Sequence, residues 1–155
     1  VPMRFEDAVS LKVKWIDQVD AVVVFTDNMI SRFEVSLHYY RKVPVLAAGI
    51  EGTNTMAWLF IQEPKGPCLR CKFPDIDFDS PDSTSCSGMS LDAARALSGY
   101  ISFGIDTLFI DHKYRRRNWN YLKISLDGFV SEERFIVEKS DKCDLCSSRK
   151  DFQGE

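Results

Sequence analysis

Cys68 and Cys71 stand three positions apart in GPCLRCKFPD, and Cys143 and Cys146 repeat that spacing in KCDLCSS. A short knuckle presents two sulfurs to one ion, and zinc takes four soft ligands in a tetrahedron. One C-x2-C paired with a distant C-x2-C therefore predicts a single zinc site. The same residues would also serve two disulfides or four separate core thiols, but a reducing compartment favours the metal. The fifth cysteine, Cys86, is left over.

A second candidate lies in DAVVVFTDN, residues 20 to 28. The apolar run predicts a strand buried on both faces of a parallel sheet, and TDN breaks it before a helix. In open α/β sheets the carboxyl ends of strands form the ligand crevice. A carboxylate there, Asp27, followed by Asn28, can hold a magnesium ion on a nucleotide phosphate. The alternative is a helix cap supplied by Thr26 or Asp27. Arg32, one turn further on, is by itself a surface or ion-pair residue.

The elements that must position these groups alternate. VPMRF predicts a short strand and residues 6–18 a helix packing Val9, Val13 and Ile16. After DAVVVF comes a helix with Ile30, Phe33, Leu37 and Tyr40 on one stripe and Arg32, Arg41 and Lys42 mostly outside it. VPVLAAG predicts another buried strand, so the order is α/β with parallel strands and right-handed crossovers. Beyond Gly49 the pattern changes: TMAWLFIQ predicts a strand running into the first knuckle. Residues 75–90 are polar and turn-rich and predict a loop. A long helix is expected from Leu91 to Asp111, burying Ala94, Leu97, Ile101, Ile105 and Leu108, with Gly99 and Gly104 permitting close contact to the sheet. YLKISL and RFIVEK predict a terminal pair of strands.

Composition sets bounds. The chain has 155 residues, 45% hydrophobic and 28% charged, which suits one globular domain. A net charge of −3 gives no basic field to draw nucleic acid. Lys113, Arg115, Arg116 and Arg117 read as a solvated turn. No apolar run approaches a membrane span and no signal peptide is present, so no membrane partner and a cytoplasmic location are expected. His38 and His112 read as structural or surface residues, and Trp15, Trp58 and Trp119 as core or interface. Because VPMRF would form a strand from the first residue, something upstream is expected to have been removed.

Taken together, FTDN-x3-R (residues 25–32), VPVLAAG, an EG turn, GPCLRCKFPD, a lone Cys86, a long helix and a final CDLC resemble the ThiF/MoeB/HesA family. These are ubiquitin-activating-enzyme-like adenylyltransferases, and the resemblance covers nearly the whole chain in order. It implies ATP-dependent adenylation of the C-terminus of a ubiquitin-like or sulfur-carrier protein, a structural zinc on the two C-x2-C pairs, and a homodimer. It assigns Asp27 to magnesium–ATP, with Asn28 and Arg32 completing that motif. Cys86 matches the position of a thiol used in thioester or persulfide chemistry, although the glycine- and valine-rich stretch expected after it is only loosely present in SGMSLDAARALSGY.

One expected part is missing. The eight glycines are scattered, and no G-x-G-x-x-G opens a helix to cradle phosphates. The expectation is therefore a single α/β domain in which residues 1–50 are the remaining part of a Rossmann-like nucleotide-binding fold. Residues 51–155 would be the zinc-bearing C-terminal ThiF-type portion. A separate chain carrying the nucleotide-binding half is the alternative to a homodimer. The competing function is a non-catalytic, zinc-stabilised interaction scaffold; a zinc-ribbon nucleic-acid binder is disfavoured by the acidic balance.

Overall fold

The computed structural model describes residues 4–51, 55–76, 90–111, 113 and 116–147. In chain order the elements are α1 (Phe5–Ser10), a 3₁₀ turn (Lys14–Asp17), β1 (Val22–Val24), α2 (Met29–His38), β2 (Val45–Glu51) and β3 (Met56–Gln62). The knuckle helix α3 (Leu69–Lys72), α4 (Leu91–Phe109), β4 (Tyr121–Ser125), β5 (Ser131–Phe135) and α5 (Asp144–Ser147) complete them. The five strands make one sheet in the order β1-β2-β3-β4-β5.

Alternation of side chains along β2 and β3 divides the core between the two faces of this sheet. Val45, Ala47, Trp58 and Phe60 pack with Ala8, Ile16, Val35 and Tyr39 on the α1–α2 side. Leu46, Ala48, Leu59 and Ile61 pack with Ala93 and Leu97 of α4 on the other. Helices on both faces of a sheet agree with the α/β expectation. The parallel pairing expected of DAVVVF and VPVLAAG is found at β1–β2, while past Gly49 the pairs β2–β3, β3–β4 and β4–β5 are antiparallel, so the sheet is mixed. The connection from Glu51 to Met56 is too short for a crossover, which fixes the reversal.

Several expectations are corrected. Arg4 caps and Phe5 begins α1 where VPMRF predicted a strand; residues 1–3 lie outside the described residues. The helix expected over 6–18 stops at Ser10, and Lys12 turns the chain with a φ of 51° before the 3₁₀ turn. Val9, Val13 and Ile16 still reach the core. β1 is an edge strand of the described sheet, leaving Val23 44% and Phe25 40% exposed, so DAVVVF is not buried on both faces. Trp15 is also exposed, whereas Trp58 and Trp119 are core. The last strand is SEERF, earlier than RFIVEK, and every one of its residues is exposed.

Candidate metal centre and strand-end carboxylate

The knuckle is built locally. Cys68 precedes α3 in extended backbone, and the amide of Cys71 donates to the Cys68 carbonyl at 2.9 Å, which turns both sulfurs toward one point. Gln62, fully buried at the end of β3, fastens this turn to the body. Its Nε2 donates to the Ser36 carbonyl of α2 at 2.8 Å, and its Oε1 accepts from the Leu69 amide at 3.2 Å. Sequence reading passed over Gln62; the one signal was an amide side chain closing an otherwise apolar strand.

Cys143 and Cys146 arrive from the other end of the chain, so all four sulfurs lie within 4.8 Å of one another. Sγ–Sγ distances are 3.8 Å for Cys68–Cys71, 3.6 Å for Cys68–Cys143, 3.4 Å for Cys71–Cys146 and 3.3 Å for Cys68–Cys146. Four sulfurs at about 2.3 Å from a tetrahedral ion stand about 3.8 Å apart, so the donor set fits zinc in chemistry and in scale. None of the four forms a disulfide. Cys68, Cys143 and Cys146 are buried with Tyr40 in their own cluster.

The protons of this cluster are unevenly held. Burial pushes the Cys68 thiol well up, and Cys146 beside it adds to the effect. Burial likewise raises Cys71, partly offset by the Ser140 amide, which donates to its sulfur at 3.5 Å. At Cys146 burial also pushes upward, but hydrogen bonds from Tyr40, Cys68 and Cys71 outweigh it and bring the thiol down to about 7. Such shared, desolvated thiols are the donors a divalent cation deprotonates.

Asp27 sits just past the C-terminal end of β1, the end of a strand at which open α/β sheets bind ligands. It does not cap α2, and neither does Thr26. That role falls to Asn28, whose Oδ1 accepts from the Ser31 amide at 2.8 Å. The Asn28 Nδ2 also donates to Asp27 Oδ1 at 3.0 Å, so the cap residue orients the carboxylate. Arg32 is only 4% exposed, contrary to the surface position its place on the helix suggested. Its guanidinium donates to the Thr26 carbonyl and lies 5.3 Å from the Trp58 ring.

The structure thus gathers Asp27, Asn28 and Arg32 at the start of α2 and the four cysteines beyond its other end. Ten helical residues, about 15 Å, span between them. Cys86 lies outside the described residues, as do His112 and Arg115. Arg117 is not part of a solvated turn: its side chain is 8% exposed and pairs with Glu63.

The family model of the ThiF family matches residues 1–144. No curated protein sequence matches the chain. Among solved structures, E. coli MccB is similar over 96% of this chain and 44% of its own, with a TM-score of 0.65 and 16% identity. E. coli MccB with MccA gives a TM-score of 0.65 and 16% identity over 94% of this chain and 43% of that one. E. coli MccB with MccA-N7isoASN gives 0.63 and 15% over 94% and 45%. At these identities the likeness is one of fold. The chain spans less than half the length of each of these structures.

Proposed function

The chain belongs to the ThiF family, and from that premise we propose that it is the C-terminal part of an ATP-dependent adenylyltransferase. The carboxyl group activated would be the C-terminus of a ubiquitin-like or sulfur-carrier protein. Residues 1–50 would be what remains of the Rossmann-like nucleotide-binding fold, and residues 51–155 the zinc-bearing portion. The observation that carries this reading is the strand-end arrangement of Asp27, held by Asn28 and backed by the Arg32 bond to Thr26.

Attack of a carboxylate on the α-phosphate needs positioning and charge neutralisation more than covalent help. Magnesium held at Asp27 would supply that neutralisation on the ATP phosphates. The chain's own part is to keep the Asp27 carboxylate aimed into the crevice, through Asn28 on its Oδ1 and through Arg32 on the preceding carbonyl. Cys68, Cys71, Cys143 and Cys146 would hold a structural zinc, which cross-links the knuckle to the last turn without entering the reaction. Cys86 would serve as a nucleophile toward the activated carboxyl group. The neighbouring structures that hold MccB with a second molecule, MccA, support a bound partner for this fold. A separate chain carrying a glycine-rich phosphate loop would supply the backbone donors that the 155 residues lack; a homodimer is the alternative assembly. The cytoplasm suits the reduced cysteines.

The same missing loop supports a second reading, a zinc-stabilised scaffold that binds a partner without chemistry. Exchange of pyrophosphate into ATP separates the two. The complete gene product should exchange, the 155-residue chain alone should not, and Asp27→Asn should lower the rate about 100-fold or more with metal content unchanged. Equal rates for Asp27→Asn and the unmodified protein would sink the adenylyltransferase reading. No exchange in any assembly would favour the scaffold.

A further inference from the structure

Tyr40 follows α2 by two residues and turns its ring into the sulfur cluster, where it is buried with Cys68, Cys143 and Cys146. A buried phenol needs a hydrogen-bond partner. Here the Tyr40 hydroxyl donates to Cys146 Sγ at 3.4 Å. We propose that Tyr40 is a positioning residue of the metal centre, its O–H bonded to the Cys146 thiolate so that this sulfur stays on the ion. The inference rests on the quartet being a zinc site.

Charge explains why such a donor is needed. Four thiolates around one divalent cation leave two net negative charges in a place with little water, and buried charge is tolerated only when hydrogen-bonded. Donors to the cluster among the described residues include the Ser140 amide on Cys71 and the Tyr40 hydroxyl on Cys146. The first comes from the same chain segment as Cys143. The second comes from the turn just after α2, so of these two it is the one that ties the centre to the helix that begins beside Asp27. The Arg41 guanidinium lies 5.5 Å from the Tyr40 ring. Partners of this kind hold a ligand's orientation, and their loss typically costs 10–100-fold in metal affinity.

The test uses the zinc-loaded full chain and a competing chelator. Tyr40→Phe keeps the ring and removes only the donor, so zinc should still bind one per chain but transfer to the chelator about 10-fold faster or more. Tyr39→Phe is the control: its hydroxyl donates to the Ile16 carbonyl at 2.5 Å, away from the sulfurs, and its zinc transfer should match the unmodified protein. Tyr40→Phe releasing zinc at the unmodified rate would overturn the assignment. Unmodified protein that holds no zinc would instead overturn the zinc reading beneath it. If Tyr40→Phe does not fold, the unmodified protein decides: with cadmium in the site, NMR should show coupling between the Tyr40 hydroxyl proton and the metal, and its absence would also overturn the proposal.

Discussion

Gly49 and Trp58 face each other across β2 and β3 so closely that a Cβ at Gly49 would lie 2.8 Å from the indole ring. The ring cannot retreat freely, since the Arg32 guanidinium lies 5.3 Å from one of its rings and the Phe73 ring 5.1 Å away. Gly49→Ala should therefore destabilise the protein by about 1–3 kcal/mol through overpacking. Urea unfolding measures this, and a variant as stable as the parent would show that Trp58 can shift.

Two glycines of α4 should behave oppositely. A Cβ at Gly99 would meet nothing within 4 Å, while one at Gly104 would lie 3.0 Å from Ile61 Cδ1 and Leu46 Cδ2. Gly99→Ala should gain up to about 1 kcal/mol from helix propensity. Gly104→Ala should be less stable than Gly99→Ala by about 1–3 kcal/mol, because its gain is offset by crowding in a filled core. Thermal melts of the pair give the order. The expectation of close contact at both glycines is thus corrected at Gly99.

Within the basic run, Arg116 and Arg117 should differ sharply. Arg117 ties three elements together: it donates to the Trp119 carbonyl, to Thr107 Oγ1 at the end of α4, and to Glu63 after β3. Arg117→Ala leaves those acceptors without their cation and should cost about 2–4 kcal/mol. Arg116→Ala, at an exposed position, should stay within about 0.5 kcal/mol. Equal unfolding midpoints for the two would contradict this.

Stripping the proposed zinc should loosen the segment after β5 before it melts the sheet. The four sulfurs join the knuckle after β3 to Cys143 and Cys146, and metal-binding energy at such a site is folding energy. Between Phe135 and Cys143 the chain is mostly exposed, with Lys139 and Lys142 available to trypsin. Cleavage there should accelerate on chelation while the far-ultraviolet spectrum changes little. Cys143→Ser should behave like the stripped protein.

Tyr121 gives an alkaline signature. Burial, then the carboxylates of Glu51 and Glu133, push its phenol up to about 12 from an ordinary value of 10.0. A group with a raised folded value favours the folded state fully below pH 10 and loses that contribution as pH climbs toward 12. The loss across this window is roughly 2–3 kcal/mol. Unfolding free energies measured from pH 9 upward should fall less steeply in Tyr121→Phe.

Much of this was legible from one end of the chain to the other. The spacing of Cys68, Cys71, Cys143 and Cys146 determined the donor set, because a C-x2-C turn is a local structure that any fold must accommodate. The apolar runs at 45–51 and 56–62 and the long amphipathic stretch from Leu91 determined their elements for the same reason. What only the tertiary structure decided are relations between residues that no local pattern joins. The antiparallel pairing of β2 with β3 made the sheet mixed. The edge position of β1 exposed Val23 and Phe25 in a run that reads as fully buried. Arg32 looked outward on the helical stripe, yet the Thr26 carbonyl and the Trp58 ring draw it inward. Tyr40 looked like one more apolar contact, and only chain closure brings its hydroxyl to Cys146, 106 positions away. Periodicity records which side of an element is apolar; which group waits on that side is set by strand order and long-range packing.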